Sequence, residues 1–499
     1  MKGASSKSGA LLGSILLPLI LAQFICSYAG SNMNVAVTAI ADDLGTDVHG
    51  VQIAITLFTL TMAALMIPGS KLTDIWGRKF CFRLGLIIYG LGALLGALSP
   101  GIGVLYIGYS FMEGIGSALL IPPVYILATV SFAGVESRAK AFGGISAAGG
   151  IGAAAGPLVG GFLTTAISWR ASFILQAIVV LSIILLARRI ADPGVQGIKP
   201  RLDILGAILS GAGLFFLVVG ILSSGTYGWF TSNQDLSIGN IVIIPEGGIS
   251  PVWLLMAIGG IILGAFFLHI RSMERKGKAP LLSTHIFRNK TSNLGLVTQL
   301  VQWMVLQGAF FVISVFFQTV RGFNAVSAGL IVTPATIGIL LTGTRARKMA
   351  ARFSQRALIR AGFILTTAGM ALVILLPRAL SSADTASVWS FVPGLFMMGL
   401  GIGTMLTSSV NVVQSAFPEK DQGEISGLSR SVSNLGSSFG TAVVGSVLVT
   451  TILPQTQTFG LALIVIIMAS LVGLLAAFLL PSDRAEGSGK KTEVGEDAA

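Results

Sequence analysis

The segment GGISAAGGIGAAAGPLVGGFL, Gly143 to Leu163, is a run of small and apolar residues interrupted by one proline. It carries no charge and is long enough to cross a bilayer, which takes about 20 apolar residues in a helix. Small residues let neighbouring helices approach closely, and Pro157 removes a backbone donor and permits a bend. The segment therefore predicts a membrane-spanning helix that packs tightly and can rock against its neighbour.

The whole chain has the composition of an integral membrane protein. Of its 499 residues, 53% are hydrophobic and only 10% are charged, and the mean hydropathy is +0.86. The pI near 10 does not indicate nucleic-acid binding, because the basic residues lie between apolar runs and not on one aromatic-rich face. Cys26 and Cys81 fall inside apolar runs, which argues against a disulfide framework.

Fourteen segments are predicted to cross the membrane as helices. Lys and Arg accumulate in cytoplasmic loops, and with both termini in the cytoplasm only Arg170, Arg321 and Arg378 lie outside. The polar tail, 483–499, is predicted to be disordered. The spans lie near residues 11–40, 50–70, 80–99, 104–131, 140–167, 171–190, 203–223, 251–270, 293–318, 325–344, 357–378, 386–415, 425–453 and 457–480.

The chain also repeats itself. KLTDIWGRKFCFRLG, Lys71 to Gly85, aligns with KMAARFSQRALIRAG, Lys348 to Gly362, and a GIG triplet at 114–116 recurs at 401–403. The repeat predicts an N-terminal six-helix bundle (1–190), a linker with two inserted spans and an external loop (191–280), and a C-terminal six-helix bundle (281–482). Parallel repeats with a substrate site at their interface are a transporter architecture.

Two motifs resemble the major facilitator superfamily, specifically its fourteen-helix drug:proton antiporter branch. The resemblance covers nearly the whole chain and implies the major facilitator fold of two six-helix bundles, all α, with two inserted helices. The loop signature between the second and third spans is matched by Gly69, Asp74, Gly77, Arg78 and Lys79. The antiporter signature of the fifth span is matched by Gly143, Gly152, Gly156, Pro157, Gly160 and Gly161.

The resemblance implies a role for each motif. In that family the loop stabilises one conformation through charge contacts at the cytoplasmic face, and the fifth span serves exchange. The simpler alternatives are a turn that only obeys the positive-inside rule and a Gly-rich helix that only packs.

The chain departs from the family pattern at two positions. The family's first span typically carries an Asp shortly before an NVA segment, where this chain has Ala29. Its fourth span typically carries an Arg before a Gln-Gly pair, where Ser110 and Glu113 stand here. The two ionisable groups most often linked to proton coupling in that family are therefore missing.

Glu113 is the predicted proton-coupling residue. It lies roughly 12 Å along the fourth span from the external side, at 1.5 Å per residue. An ionisable residue at such a depth costs about 2.5 to 3.5 kcal/mol and usually faces a cavity or a partner. Tyr109 and Ser117 lie four residues to either side, so all three are expected on one helical face that lines the substrate cavity. The alternative is a protonated Glu113 that only packs.

Further polar residues inside apolar spans are predicted to line the substrate cavity. For each of them the alternative is an interhelical hydrogen bond, which is common in membrane bundles. They lie in the first, ninth and twelfth spans and are Asn32, Asn34, Gln299, Trp303, Gln307, Thr404, Ser408 and Asn411.

The sequence carries no constellation typical of an enzyme. His49, His269 and His285 fall near span ends, which gives little support to a buried metal or His-based catalytic site. A phosphate loop of the G-x-x-x-x-G-K-[ST] type is missing from the sequence. We therefore expect no cofactor, no metal and no ATP hydrolysis, and transport driven by a gradient.

Together these patterns predict a proton-coupled exporter of small lipophilic or amphipathic compounds that works by alternating access. Cavity residues that are mostly apolar or neutral, together with one buried acid, favour lipophilic and cationic cargo. A monomer in the cell membrane, with no nucleic-acid partner, is expected. The alternatives are a transporter of a lipid or a specific metabolite with the same fold, and a non-transporting membrane sensor or assembly partner.

Overall fold

The computed structural model describes residues 2–131, 135–189, 202–238, 241–350, 352–380, 387–418, 421–448 and 455–481. These residues form sixteen α-helices, several short helices of other types and one β-hairpin. The α-helices are α1 Lys2–Asn32, α2 Val37–Leu44, α3 Val48–Trp76, α4 Arg78–Ala97, α5 Ile102–Leu105, α6 Gly114–Ser131, α7 Val135–Ala166, α8 Trp169–Leu186, α9 Ile204–Tyr227, α10 Pro251–Arg275, α11 Lys290–Thr319, α12 Ala325–Ala350, α13 Gln355–Leu380, α14 Val392–Ser415, α15 Gln422–Leu448 and α16 Gln455–Leu479.

The short elements connect or interrupt these helices. A π-helix lies between α5 and α6, and the hairpin joins α9 to α10. The 3₁₀ helices are Met33–Val35, Ala187–Arg189, Thr284–Arg288 and Val388–Ser390, the π-helix is Tyr106–Glu113, and the antiparallel strands are β1 Leu236–Ile238 and β2 Ile241–Ile244.

Side-chain caps and one glycine set the helix boundaries. The Asp47 carboxylate accepts from the Gly50 amide at 2.8 Å at the start of α3, and Asn289 accepts from the Ser292 amide at 3.1 Å at the start of α11. Each cap satisfies one of the free amides of a helix N-terminus. Gly77 separates α3 from α4 with a φ of 96°, a conformation that glycine adopts readily and other residues rarely do.

Thirteen stretches of helix in the described part of the chain are long and apolar enough to cross a membrane. The predicted thirteenth span, 425–453, is the helix α15, which is not among them. Its buried residues include many hydroxyls, and it packs against α3, α9, α11 and α16, so protein surrounds much of it. Average hydropathy therefore understates how well it fits the bundle. The buried hydroxyl residues are Ser429, Ser431, Ser433, Ser437, Ser438, Thr441 and Ser446.

The first predicted span has the wrong boundary. Sequence hydropathy extends it to residue 40, but α1 ends at Asn32, and a 3₁₀ turn leads into the separate helix α2. The β-hairpin between α9 and α10 is a small departure from an all-helical fold. Residues 449–453 and the tail 483–499 lie outside the described residues.

Apart from the short α2 and α5, the helices form two sets of six, one within α1–α8 and one from α11 to α16, with α9 and α10 between them in sequence. Within the first set, α1 packs on α7 and α8, and α4 on α6 and α8; within the second, α13 packs on α14, and α11 on α15 and α16. The sets meet through α3 with α15 and α7 with α12, and α9 packs against both α3 and α15. The inserted pair therefore lies beside the junction of the two sets.

Polar contacts join the two sets near both ends of the bundle. At the end that carries the α3–α4 turn, here called the basic end, Lys71 Nζ lies 2.6 Å from Glu424 Oε1. At the opposite end the Thr38 hydroxyl donates to Gln318 Oε1 at 2.8 Å. Each end of the junction therefore carries a polar contact between the two sets.

The internal repeat has a counterpart in helix packing. A methyl group added at Gly85 would lie 2.8 Å from the Gly116 carbonyl oxygen, and one added at Gly362 would lie 2.8 Å from that of Gly401. In each half, therefore, a glycine allows two helices to touch at their backbones.

Candidate functional site

Glu113 is the last residue of the π-helix Tyr106–Glu113. This helix type is rare and is frequent at functional sites, because its wider turn changes the direction of side chains. Glu113 is 0% exposed. Its two carboxyl oxygens make no hydrogen bond of ordinary geometry with the described residues, although the Tyr89 hydroxyl lies close by.

The surroundings of Glu113 come from the first six-helix set. Tyr89 of α4 donates to Gln176 Oε1 of α8 at 2.5 Å and also contacts the Ile25 carbonyl of α1 at 3.3 Å. Cys26 of α1 is also near enough to Glu113 for electrostatic interaction. The carboxyl group therefore lies in the interior of this set, where an unpartnered polar atom is costly.

At Ala29 and Ser110, where the chain departs from the family pattern, the structure has hydrogen bonds between a side-chain hydroxyl and a backbone carbonyl. The Ala29 carbonyl accepts from the Tyr109 hydroxyl at 3.0 Å, and the Ser110 hydroxyl donates to the Ala54 carbonyl at 2.7 Å. Neither Ala29 nor Ser110 is ionisable, so among the positions that depart from the family pattern only Glu113 carries an ionisable side chain.

Tyr109, Glu113 and Ser117 are all fully buried. The π-helix covers the first two, so the four-residue spacing does not follow an α-helical face there. The Tyr109 ring stacks on Phe58 with centroids 4.7 Å apart, and the Ser117 hydroxyl has no ordinary hydrogen bond within the described chain. The structure thus brings the three residues into the interior of the first set.

The glycines of the antiporter motif face two helices. A methyl group at Gly152 would collide with the backbone of α1, and one at Gly156 would lie 2.9 Å from the Asn32 amide nitrogen of α1. A methyl group at Gly161 would lie 2.6 Å from the Ala325 carbonyl oxygen of α12. The motif therefore packs α7 tightly inside its own set and across the junction to the other.

Two further residues of the antiporter motif, Gly160 and Pro157, also lie against α1 and α12. A methyl group at Gly160 would lie 3.0 Å from the Asn32 Cβ, and the Pro157 carbonyl lies against Gly329 of α12. Gly143 lies in the first third of α7. Pro157 and Gly161 thus belong to the surface on which the two sets meet.

Glycines position the loop motif at the basic end. A methyl group at Gly69 of α3 would collide with the Ala118 carbonyl of α6, so this position allows backbone contact between the two helices. Gly77 makes the turn from α3 to α4. Together they place the charged residues of the motif at the helix ends.

Those charged residues lie beside the second set. Lys71 and Arg78 attract the Asp74 carboxylate, whereas Glu424 repels it. Glu424 also accepts from the Ser283 amide at 3.1 Å. The basic end therefore holds a charge network across the junction, with the half-buried Lys79 beside it.

Asn32 and Asn34 flank the end of α1 and are each 1% exposed. None of their side-chain amide atoms has an ordinary hydrogen bond within the described part of the chain. The Asn34 backbone carbonyl accepts from Ser314 of α11 at 2.6 Å. Two unpartnered amides thus lie close to the junction.

The other predicted cavity residues are not brought together as one surface. Gln299 accepts from the Ser429 hydroxyl at 2.9 Å within the second set, whereas Gln307 donates to the Gly30 carbonyl of α1 at 2.8 Å. Trp303, which lies between these two residues in the sequence, is partly buried.

In α14 the predicted residues bond locally. Thr404 donates to the Leu400 carbonyl at 2.7 Å, Ser408 donates to the Thr404 carbonyl at 3.4 Å, and Asn411 is partly exposed. Both bonds lie within α14, so they favour neither a cavity wall nor an interhelical hydrogen bond.

Sequence reasoning missed a cross-junction contact at Arg430. Its guanidinium donates to the Tyr125 hydroxyl of α6 and lies 4.9 Å from the ring centroid. Tyr125 in turn donates to Gln23 Oε1 of α1 at 3.3 Å. The signal was available, since Arg430 is a cation inside a predicted span.

A second polar cluster lies at the opposite end. Arg170 donates to the Asp43 carboxylate and to the Ser99 carbonyl at 2.9 Å, and Trp169 Nε1 donates to the same carboxylate at 3.0 Å. The hydrogen bond from Arg170 lowers the pKa of Asp43. This cluster ties α2 to the start of α8.

The profile of the Major Facilitator Superfamily matches residues 19–272, 204–441 and 346–498, and so covers nearly the whole chain. The chain belongs to the Major Facilitator Superfamily. Similar proteins include the probable actinorhodin transporter of Streptomyces coelicolor, 28% identical over 88% of this chain and 71% of that protein. Another is the puromycin resistance protein pur8 of Streptomyces alboniger, 27% identical over 87% of this chain and 81% of that protein.

These names support the drug:proton antiporter branch that the two motifs indicate. A solved structure of a POT family transporter in complex with 5-aminolevulinic acid has a TM-score of 0.67 to this chain. It is 15% identical and covers 94% of this chain and 96% of that one. At this identity the likeness shows the fold. The protein is a multi-pass membrane protein with the fold of two six-helix sets.

Proposed function

We propose that the protein is a secondary active transporter that exports small lipophilic or amphipathic compounds in exchange for protons, by alternating access. The first and second six-helix sets act as the two moving bundles, with α9 and α10 inserted between them. The contacts at both ends of the junction are those that would break and re-form as the bundles rock.

The proposal rests on one observation: the Glu113 carboxyl group is fully buried and makes no ordinary hydrogen bond with the described residues. An ionised carboxylate is costly in dry surroundings, and a bound proton removes most of that cost. A carboxyl group that is dry in one conformation and wet in another can take up a proton on one side of the membrane and release it on the other. The unpartnered oxygens of Glu113 and its position in a π-helix fit this role.

The remaining parts of the proposal concern setting and partners. We place the protein in the cell membrane as a monomer with both termini and the basic end in the cytoplasm, because basic residues accumulate there. The residues at the junction bind the cargo, and the loop motif stabilises one conformation. The α7 motif allows the helix movement that exchange of cargo for protons requires. Neither nucleic acid nor a cofactor takes part.

The test is proton movement driven by cargo. Purified protein is reconstituted in liposomes that contain a pH-sensitive dye, and lipophilic compounds of different charge are added outside. We expect compound-dependent proton movement in the direction opposite to the compound, and none in protein-free liposomes. Compound uptake with no accompanying proton movement would contradict the coupling, and no uptake at all would contradict transport.

A further inference from the structure

Arg430 lies inside the bundle and not at its surface ends. It is roughly 12 Å along α15 from the first residue, Gln422, at 1.5 Å per residue, and is half-buried. Its guanidinium reaches across the junction to Tyr125 of α6. A charged side chain at such a depth usually faces a functional pathway.

Arg430 has no acidic partner among the described residues. Glu424, which lies nearest to it in sequence, pairs with Lys71, and Asp421 pairs with His285. Glu113 interacts with residues of the first set. The fixed charge that Arg430 brings to the junction beside Tyr125 is therefore positive.

The Tyr125 contact satisfies only a small part of the guanidinium. An arginine has five N–H donors in a planar fork that fits a carboxylate, sulfate or phosphate group in two parallel bonds. The Tyr125 hydroxyl accepts one of them and its ring centroid lies 4.9 Å from the guanidinium, but neither supplies a negative charge. A ligand with an acidic group would supply both the missing acceptors and the missing charge.

We propose that Arg430 determines cargo specificity and that the preferred cargo is an amphipathic organic anion. This inference rests on the proposed transport function. The acidic group of the cargo binds the guanidinium, displacing or sharing the Tyr125 contact. This proposal differs from the cationic preference expected from the sequence, which did not take Arg430 into account.

The experiment uses three compounds on one ring system in the reconstituted full-length protein: naphthaleneacetate, naphthaleneacetamide and naphthylethylammonium. We expect the parent to transport the anion in preference to the other two by roughly tenfold or more, since charge-assisted bonds are the strong ones. Arg430→Gln should abolish this preference and keep amide transport. Arg430→Lys should retain part of it, and Tyr125→Phe, which leaves the charge in place, should retain most of it.

The outcomes separate the two proposals. If the parent transports the amide or the ammonium compound as well as the anion, the inference is wrong and the transport function stands. If the anion preference survives in Arg430→Gln, the inference is likewise wrong and the transport function stands. If folded parent protein transports none of these and none of a wider panel of lipophilic compounds, the transport function itself is wrong. Should Arg430→Gln not fold, the parent's preference and the Arg430→Lys variant still decide the inference.

Discussion

Single buried polar groups distinguish this chain from a bundle that is only packed. Glu113, Asn32 and Asn34 are almost completely removed from solvent, yet none of their side-chain polar atoms has an ordinary hydrogen bond within the described residues. An unpartnered buried polar group costs about 1 to 3 kcal/mol. Groups of this kind are tolerated where another state, a proton or a ligand satisfies them.

Asp43 gives a pH-dependent prediction at the same scale. The Arg170 bond lowers its pKa in the folded state, so the stabilisation is present above the ordinary pKa of an aspartate. It is lost as the pH falls through the lowered folded-state pKa. Asp43→Asn should reduce thermal stability in detergent at neutral pH, by roughly 1 kcal/mol or less for so exposed a pair, and the difference should vanish in acid.

Asp42→Asn is the matched control, because Asp42 is an exposed neighbour on the same helix. Its thermal unfolding should follow that of the parent at every pH. A deficit in Asp43→Asn that persists unchanged at low pH would show that the carboxylate charge does not stabilise this end of the bundle.

Helix α7 offers a comparison of two glycines on one element. Gly156 lies against the α1 backbone, whereas a methyl group at Gly150 would meet nothing within 4 Å. Gly156→Ala should therefore separate α1 from α7 and lower both the melting temperature and the transport rate. Gly150→Ala should leave both unchanged or raise stability slightly, as alanine favours a helix. Equal behaviour of the two variants in unfolding and uptake assays would refute close packing at the motif.

Some elements could be predicted from the sequence and others could not. Apolar length and the repeat predicted the spans and their grouping, since a bilayer demands about 20 apolar residues per helix. The serine-rich α15 was predicted from the same pattern although its hydropathy is low. The π-helix before Glu113 could not be predicted, because one inserted residue per turn leaves no trace in composition. The break after Asn32 lies inside the first predicted span.

The candidate site was predicted in part. Glu113 stood out because a carboxyl group inside an apolar run is rare. Its location inside the first set, away from the junction, depends on which way the π-helix turns it. Arg430 lay within a predicted span and was counted only as a basic residue of the cytoplasmic side, although the same rule that selected Glu113 applies to it.

The topology of the whole molecule can be tested with two exposed loop residues. Asn233 lies between α9 and α10, and Lys278 lies between α10 and α11; both are exposed. With cytoplasmic termini, a cysteine at Asn233 should react with an impermeant thiol reagent applied to intact cells, and one at Lys278 should react only after lysis. The two buried native cysteines are replaced by alanine beforehand. The reverse pattern, or equal labelling, would contradict the proposed orientation.

The most direct test of the account is proton-driven transport by Glu113→Gln in liposomes. Glutamine keeps the size and hydrogen-bonding capacity of the side chain but cannot exchange a proton. We expect this variant to fold, to retain downhill exchange and to lose accumulation against a gradient. Ser110 lies in the same π-helix as Glu113, and its hydroxyl donates to the Ala54 carbonyl of α3. Ser110→Ala, which removes that bond, should still accumulate cargo. Accumulation by Glu113→Gln equal to that of the parent would contradict the assignment of the exchanged proton to Glu113.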